Sequence, residues 1–419
     1  MTENRPMTNR LSPVRFIVGF GVVSALSDVV YEGARSVIGP FLAGLGASAA
    51  LVGLITGLGE AAALVFRLVT GRLADRTGRY WPLTIAGYVL TLACVPLLAL
   101  SPGVVGAGLL YGGERFGKAV RSPARDTMLA HAATRTRGRG WAFGLHEAID
   151  QAGAFVGPLA LAAVLALGAG LRTGFALLAV PGVVALVVLL RLRTAAPNPA
   201  AYDPAAGLAE GKRLRLEARL PARFWLYAAF SAATMLGFAT WAVLAYHLTA
   251  RSVLPLDLIP VLYAAAMGAA ALAALGFGRL YDRAGFRGLL ALPVLAAAVP
   301  FLSFTTSIPL VLAGAVVWGA AMGAHESTLR AAVADLVPAH RRGAGYGTFT
   351  AIYGLAWLTG ATTIGALYPH GLTAIAGFVA ATQLLALTLL IPLLRPDRPG
   401  GTSSGVGSWR ESDPRRDTQ

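Results

Sequence analysis

Charged side chains recur at helical spacing inside apolar stretches of this 419-residue sequence. In the first such stretch, Asp28, Glu32 and Arg35 lie four and three residues apart, which places them within about 60° of one another on one helical face. A carboxylate in such a setting can bind and release protons, because burial raises a carboxyl pKa and a nearby cation lowers it. The spacing therefore indicates proton chemistry in an apolar environment.

The candidates for proton binding and their cationic partners form one set. It comprises Asp28, Glu32, Arg35, Glu114, Arg115, Glu147 and Asp150. Asp28, Glu32 and Asp150 are the candidate proton carriers, with Arg35 and Arg115 as their partners. The alternative is that these residues form permanent ion pairs that only hold helices together. Function is favoured for the whole set, because so many charges inside a membrane rarely serve packing alone.

The elements that position these residues have the composition of membrane helices. The chain is 56% hydrophobic and 13% charged with a mean hydropathy of +0.64, whereas soluble domains are about 25% charged. Twelve stretches have roughly the 20 apolar residues that one membrane crossing needs. They are 14–39, 49–70, 81–101, 103–126, 140–167, 172–191, 223–249, 257–277, 288–306, 308–334, 343–368 and 371–394. The predicted fold class is an all-α membrane protein.

The distribution of basic residues predicts the orientation. A net charge of +15 is typical of nucleic-acid-binding proteins, but of the Lys and Arg residues that lie in loops, only Arg172 and Arg251 fall on the side of the predicted spans that we assign to the exterior. By the positive-inside rule that side is cytoplasmic, and nucleic-acid binding is not expected. The predicted organisation is a cytoplasmic N-terminus (1–13), a six-helix bundle (14–191), a cytoplasmic linker (192–222), a second six-helix bundle (223–394) and a disordered cytoplasmic tail (395–419).

The two predicted bundles share short motifs. The sequence TGRLADRTGR at 70–79 is repeated as FGRLYDRAGFR at 277–287, and RGRGWAFG at 137–144 is repeated as RGAGYGTF at 342–349. Internal duplication of this kind is typical of transporters that bind their substrate near the membrane midplane between two repeats.

The 71–79 motif resembles the loop signature of the major facilitator superfamily. That signature requires Gly71, Asp75, Gly78 and Arg79, and all four are present, whereas Tyr80 stands where a second basic residue is usual. The resemblance extends over about residues 14–394. It implies twelve transmembrane helices in two pseudo-symmetric six-helix bundles, transport by alternating access, and a central cavity lined by spans 1, 4, 7 and 10.

The resemblance assigns two further sets of residues. The candidates for the substrate cavity are Lys118, Trp241, Tyr246, Trp318, Met322, His325 and Glu326. The candidates for the gating loop are Gly71, Asp75, Arg76, Gly78, Arg79, Asp282 and Arg283. We expect Gly71 and Gly78 to permit a tight turn, and Asp75 to face the positive N-terminal end of span 11. The alternative is a solvated basic loop that serves topology alone.

The leading functional hypothesis is proton-coupled export of a small organic solute or drug. The segment GAFVGP at 153–158 resembles the core of a proton-antiporter signature, although the trailing glycines of that signature are Leu161 and Ala162 here. The alternatives are proton-coupled uptake of a small organic anion and lipid translocation. The expected partners are a small-molecule substrate, protons and the lipid bilayer, and the expected location is the inner (plasma) membrane, as a monomer.

An enzyme is not expected from this sequence. It contains no nucleophile elbow, nucleotide loop or metal-ligand motif, and its single cysteine, Cys94, excludes a disulfide framework and a cysteine-based metal cluster. No cofactor and no metal are therefore expected.

Overall fold

The computed structural model describes residues 9–203, 220–337 and 341–395, and within these ranges the regular structure is entirely helical. Fourteen α-helices are described. They are α1 Pro13–Gly44, α2 Ala49–Thr77, α3 Tyr80–Leu97, α4 Val104–Ala133, α5 Arg139–Ala166, α6 Leu171–Leu177, α7 Ala179–Ala195, α8 Ala222–Leu236, α9 Trp241–Ala250, α10 Leu258–Ala284, α11 Ala291–Ser303, α12 Ile308–Leu336, α13 Arg342–Leu367 and α14 Leu372–Leu390. Most of the predicted N-terminus, the second part of the linker and the predicted tail beyond residue 395 lie outside the described residues.

The helices have the length and composition of membrane spans. Within the described ranges, nine helical stretches are long and apolar enough to cross a bilayer. One of them, Leu258–Ser303, has 46 residues and contains both α10 and α11, and at 1.5 Å per residue it reaches about 69 Å, or two crossings. Two more helices, α4 with 30 residues and α13 with 26, are long enough to cross as well. The helices are thus compatible with twelve crossings.

Two predicted spans are not single helices. The stretch 172–191 is divided between α6 and α7, and the stretch 223–249 between α8 and α9. Packing favours glycine at the second break, because a Cβ atom on Gly237 would collide with the side chains of Thr382 and Gln383. The carbonyl of Ala239 in the break accepts a hydrogen bond of 2.7 Å from Trp318 Nε1. Unwound backbone at this depth persists because protein donors replace the lost helical ones.

Equivalent helix ends in the two halves reflect the sequence repeat. Gly78 ends α2 with φ 60°, and Gly285, 207 positions later, ends α10 with φ 55°. A positive φ after the last helical turn is accessible to glycine without the cost that a Cβ atom brings. Ser12 and Ser48 cap the starts of α1 and α2 by accepting backbone hydrogen bonds at 3.4 and 3.3 Å.

The packing of the helices follows a pseudo-two-fold relation. In the first half α1 packs on α5, and α4 packs on α2 and α3, while in the second half α8 packs on α13, and α12 packs on α10 and α11. Between the halves, α2 packs on α13 and α5 packs on α10, which are equivalent pairs. The contact of α1 with α9 completes the interface.

We call the end of the bundle that carries the basic 72–79 segment the basic end, and the other end the opposite end. At the opposite end the two halves meet backbone to backbone. A Cβ atom on Gly39 would collide with the carbonyl oxygen of Ala242, and one on Gly53 with that of Ala361. A Cβ atom on Gly365 would likewise collide with the carbonyl oxygen of Ala49. Small residues at a helix interface allow such an approach. The halves are therefore closed against each other at the opposite end.

Candidate functional site

A chain of ion pairs joins α1, α2 and α4 in the interior. Arg35 Nη1 lies 3.3 Å from Glu32 Oε1, and Arg35 Nη2 lies 3.2 Å from Glu60 Oε1. Arg115 Nη1 lies 3.2 Å from the same Glu60 oxygen, and its Nε lies 2.9 Å from Glu114 Oε2. None of these side chains is more than 15% exposed. Glu60 thus stands between two arginines from different helices, and each charge of the chain is paired where desolvation makes an unpaired charge costly.

This ionic network reaches the other half through Tyr263 of α10. The Tyr263 hydroxyl donates a hydrogen bond of 2.5 Å to Glu32 Oε2, and both side chains are almost completely buried. A second link is the 2.9 Å hydrogen bond from Trp241 Nε1 to the carbonyl oxygen of Ser36. The charge state of Glu32 and the contact between the halves are therefore physically connected.

A second group of cations on α4 is paired with aromatic rings. Lys118 Nζ lies 4.1 Å from the ring centre of Tyr31, and the guanidinium of Arg121 lies 4.3 Å from the ring centre of Tyr88. Arg121 is 1% exposed, and its Nε and Nη1 atoms have no hydrogen-bond partner among the described residues. Cation–π contact supplies the stabilisation that a carboxylate would otherwise give.

Asp28 and Asp150 lie outside the ion-pair chain. Asp28 is 6% exposed, and within the described ranges it has no ion pair. Asp150 is half-buried on α5, with an Oδ1 atom that lacks a hydrogen-bond partner in the same ranges. The expected pairing of Arg115 with these carboxylates is wrong, since Arg115 pairs with Glu60 and Glu114. Arg115 is on the face of α4 that packs on α2. The spacing of residues within α4 does not determine which neighbouring helix that face contacts.

The remaining proton-site candidate, Glu147, is away from this network. It is exposed on α5 and accepts a hydrogen bond of 3.0 Å from Gln151 of the same helix. A helical i, i+4 contact of this kind is worth only a few tenths of a kcal/mol.

The candidates from the second half are mostly buried around the break between α8 and α9. Trp241, Trp318, Met322 and His325 are all less than 7% exposed. His325 packs against Phe238 in the break, with ring centres 5.4 Å apart. This wall of the interface is aromatic, in contrast to the ionic wall of the first half.

Two of these candidates lie elsewhere. Tyr246 is at the opposite end, where its ring meets the edge of Tyr368 at 5.5 Å. Glu326 is exposed on α12, one residue beyond His325 but on a different side of the helix from the aromatic contact. The prediction that they line the cavity with the other candidates rests only on their position in spans 7 and 10.

A small cavity lies where the ionic and aromatic walls meet. Its volume is about 20 Å³, and it is lined by Arg35, Ile38, Thr56, Glu60, Tyr111, Thr240, Trp241, Ala242 and Trp357. This is enough for about one water molecule. The two walls therefore approach each other closely at this level, with Arg35 and Glu60 facing the break at Thr240.

The predicted gating loop is mostly helical. Gly71, Asp75 and Arg76 belong to α2, and only Gly78 and Arg79 separate α2 from α3. The expectation that Gly71 permits a turn is wrong, because it is a helical residue in ordinary contact range of Pro123. Glycine inside a membrane helix serves packing as readily as turning.

The charged residues of this segment lie at the surface. Asp75, Arg76 and Arg79 are exposed, as are Asp282 and Arg283 in the last turn of α10. Along the antiparallel α2–α13 contact, Leu68 packs at Gly347. Asp75 lies two turns beyond Leu68 on the same face, in the direction in which α13 begins. This placement is compatible with a contact to the N-terminal end of α13.

Comparison with known proteins identifies the family. The family model described as Major Facilitator Superfamily matches residues 20–361 and 254–415. The chain belongs to the major facilitator superfamily. Within curated proteins this superfamily member is 47% identical over 387 residues to an uncharacterized protein of Mycobacterium tuberculosis (strain ATCC 25618 / H37Rv), a match that covers 92% of this chain and 94% of the relative. It is 26% identical over 157 residues to an uncharacterized MFS-type transporter of Methanocaldococcus jannaschii, over 38% of each chain.

Solved structures agree on the fold of this superfamily member. A point mutant of the nucleoside transporter NupG superposes with a TM-score of 0.72 at 12% identity, over 89% of this chain and 99% of that chain. A POT family transporter in complex with a thioalcohol conjugated peptide superposes with a TM-score of 0.72 at 14% identity, over 91% and 95%. The predicted fold class is confirmed: the protein is an all-α, multi-pass membrane transporter with the superfamily fold.

Two residues outside the predicted candidate set, Glu60 and Tyr263, complete the ionic network. Glu60 is a lone carboxylate in the second apolar stretch, and its intramembrane position was a usable signal. Tyr263 lies among small apolar residues of α10. Its role as a hydrogen-bond donor to Glu32 depends on how the two halves pack against each other, and no local sequence pattern encodes that packing.

Proposed function

We propose that this protein is a proton-coupled transporter that exports a small organic solute by alternating access. The observation that carries the proposal is the position of Glu32. This one buried carboxylate pairs with Arg35 on its own helix and accepts the Tyr263 hydrogen bond from the other half. A proton that binds Glu32 removes the charge that both contacts recognise.

Proton binding at Glu32 would act on the rest of the network by changing what Arg35 pairs with. Hydrogen bonds to charged groups are worth about 1.5–3 kcal/mol, roughly twice the neutral value. With Glu32 neutral, the bond from Tyr263 weakens, and Arg35 keeps only Glu60, which Arg115 already shares. The closed contact between the halves then loses stability, and this is the coupling that alternating access requires.

Orientation and direction complete the proposal. We assign the basic end to the cytoplasm and the opposite end to the exterior, with both termini cytoplasmic and the protein in the inner membrane, on the positive-inside rule. The structure then corresponds to an exterior-closed state. Export is supported by the resemblance of the 153–158 segment to a proton-antiporter signature. Gly153 and Gly157 of this segment bring α5 against the backbone of α1 at Ala25 and Val29, next to the proton-site candidates.

The test is dye and drug accumulation in an efflux-deficient bacterium, with and without an uncoupler. Wild type should exclude part of the panel only while the proton gradient persists. Glu32→Gln, which mimics permanent protonation, should lose gradient-driven exclusion. The matched control Asp257→Asn changes a carboxylate at the start of α10, outside the network, and should behave as wild type.

A substrate found in this way permits a sharper test in proteoliposomes. Glu32→Gln should retain exchange of labelled for unlabelled substrate but lose accumulation driven by a pH gradient. Gradient-driven accumulation by Glu32→Gln at the wild-type level would contradict the role of Glu32.

Uptake of a small organic anion is the second candidate, favoured by Lys118. Its ammonium lies over Tyr31 and has no ion pair within the described ranges, so it is available to a carboxylate or phosphate of a substrate. The direction of accumulation distinguishes the candidates: uptake of a labelled anion that Lys118→Gln abolishes, without dye exclusion by wild type, favours the second.

A further inference from the structure

A second and larger cavity lies at the basic end, on the outer side of the first half. We call it the basic pocket; its volume is about 650 Å³. It is formed by the start of α3, the end of α7 and the segment that follows α7. Its lining includes Arg79, Tyr80, Trp81, Arg193 and Asn198. It is separate from the interface between the halves and from the ionic network.

The walls of the basic pocket are held by specific hydrogen bonds. Trp81 Nε1 donates to the carbonyl oxygen of Ala196 at 3.1 Å, and the Arg10 backbone N–H donates to the carbonyl oxygen of Ala195 at 2.8 Å. Asn9 and Asn198 exchange two hydrogen bonds at 2.7 and 3.1 Å. The chain after α7 is therefore fixed against the bundle, and the pocket is a built feature of the first half.

The charge of the basic pocket is uncompensated. Arg79 and Arg193 are both exposed, and their side chains have no hydrogen bond or ion pair within the part of the chain that the structure describes. Among the described residues, those that line the pocket include no carboxylate. Guanidinium groups bind phosphate with matched, bidentate geometry, so the pocket is suited to a phosphate-bearing ligand.

An exposed apolar strip leads from the pocket along α7. Val183, Val187 and Leu190 are 43–59% exposed, and they share one helical face with Thr194, which lines the pocket. On α3, Val89 is 46% exposed. Exposed apolar surface of this kind faces lipid acyl chains in a membrane protein. The strip on α7 starts next to the pocket that Arg79 and Arg193 line. The occupant that fits both features has an anionic head and apolar chains.

We propose that the basic pocket binds the headgroup of an anionic phospholipid of the cytoplasmic leaflet. Arg79 and Arg193 hold its phosphate, Tyr80 lies at the level of the glycerol, as aromatic residues do at membrane interfaces, and the acyl chains follow the α7 strip. Basic pockets at this depth are suited to such headgroups. The site does not depend on the proposed transport function.

The test is native mass spectrometry of the full-length protein with added phosphatidylglycerol or phosphatidylcholine. Wild type should retain phosphatidylglycerol preferentially. An arginine near the membrane surface contributes about fivefold to anionic lipid binding, so Arg79→Gln with Arg193→Gln should reduce this preference by about 25-fold. The matched control, Arg135→Gln with Arg191→Gln, removes two exposed arginines of the same end that do not line the pocket, and should keep the wild-type preference.

Three results would overturn the proposal. They are equal retention of both lipids by wild type, equal loss in the control pair and the pocket pair, and full competition by soluble glycerol phosphate, which would make this a site for free phosphate. If the double variant is unstable, the single Arg193→Gln variant should still lose about fivefold, and Arg193→Lys should restore most of the preference. Unchanged binding by Arg193→Gln would also contradict the assignment.

Discussion

The hydrogen bond between Tyr263 and Glu32 gives a quantitative prediction about the contact between the halves. Tyr263→Phe removes one hydroxyl and keeps the ring, whose centre is 4.9 Å from that of Trp241. A hydrogen bond to a charged group is worth about 1.5–3 kcal/mol. Since Glu32 keeps its ion pair with Arg35, its charge is not left alone, and we expect the lower part of that range. A loss of about 1.5–2 kcal/mol shifts the closed-to-open equilibrium at the opposite end about tenfold to thirtyfold toward open.

The assay is electron–electron distance measurement between two spin labels at the opposite end. Gly44→Cys at the end of α1 and Ala250→Cys at the end of α9 place the labels on either side of the contact. Cys94, which is buried, is replaced by Ala. Tyr263→Phe should increase the population with the longer label separation.

The control is a tyrosine on the same helix with a partner in its own half. Tyr281 donates to Asp335 Oδ2 at 2.9 Å, and both belong to the second half. Tyr281→Phe should leave the distance distribution unchanged. If Tyr263→Phe also leaves it unchanged while the protein remains folded, the hydrogen bond to Glu32 does not hold the halves together.

Three further predictions concern stability and gating. Glu60→Gln removes the carboxylate that two buried arginines share, but Arg35 keeps Glu32 and Arg115 keeps Glu114. The cost should therefore stay below the roughly 3–5 kcal/mol of an unpaired buried charge and should be seen as a lower apparent melting temperature in detergent; an unchanged value would contradict a stabilising role for Glu60. Gly78→Ala should lower the free energy of unfolding by about 1–2 kcal/mol because of its left-handed backbone. The control Gly276→Ala, in open space within α10, should be neutral or stabilising by up to about 1 kcal/mol. Equal effects of the two substitutions in thermal unfolding would contradict the backbone argument. Asp75→Asn should abolish uncoupler-sensitive dye exclusion without changing the chromatographic profile, and full exclusion would remove the proposed contact with α13.

The parts of the fold that depend on local pattern could be predicted from the sequence. Apolar length determines the spans, and the repeated GRLADR and GRLYDR motifs predict that α2 and α10 end alike, as Gly78 and Gly285 do. Helical spacing also placed Glu32 and Arg35 together correctly. These features need no knowledge of which helices are neighbours.

The features that depend on helix neighbours could not be predicted in this way. Arg115 has acidic residues on several helices within reach, and only the packing of α4 on α2 selects Glu60. The break before Trp241 has a single glycine, Gly237, as its sequence signal, and the close approach of Thr382 on α14 that favours glycine there is set by helix packing. Gly71 shows the converse error, because glycine is equally compatible with a turn and with close helix packing.

The backbone contacts at Gly39, Gly53 and Gly365 would affect how the two halves separate at the opposite end. Long side chains at an interface can stretch and keep touching while it widens, but a carbonyl that lies against an α-carbon cannot. Dispersion attraction loses a quarter to a half of its depth with a gap of about 0.5–1 Å. Separation at this end would therefore lose a quarter to a half of this attraction within about the first ångström, so even slight widening is costly. In the proposed transport cycle, the shortness of these contacts would then itself oppose leakage at this end.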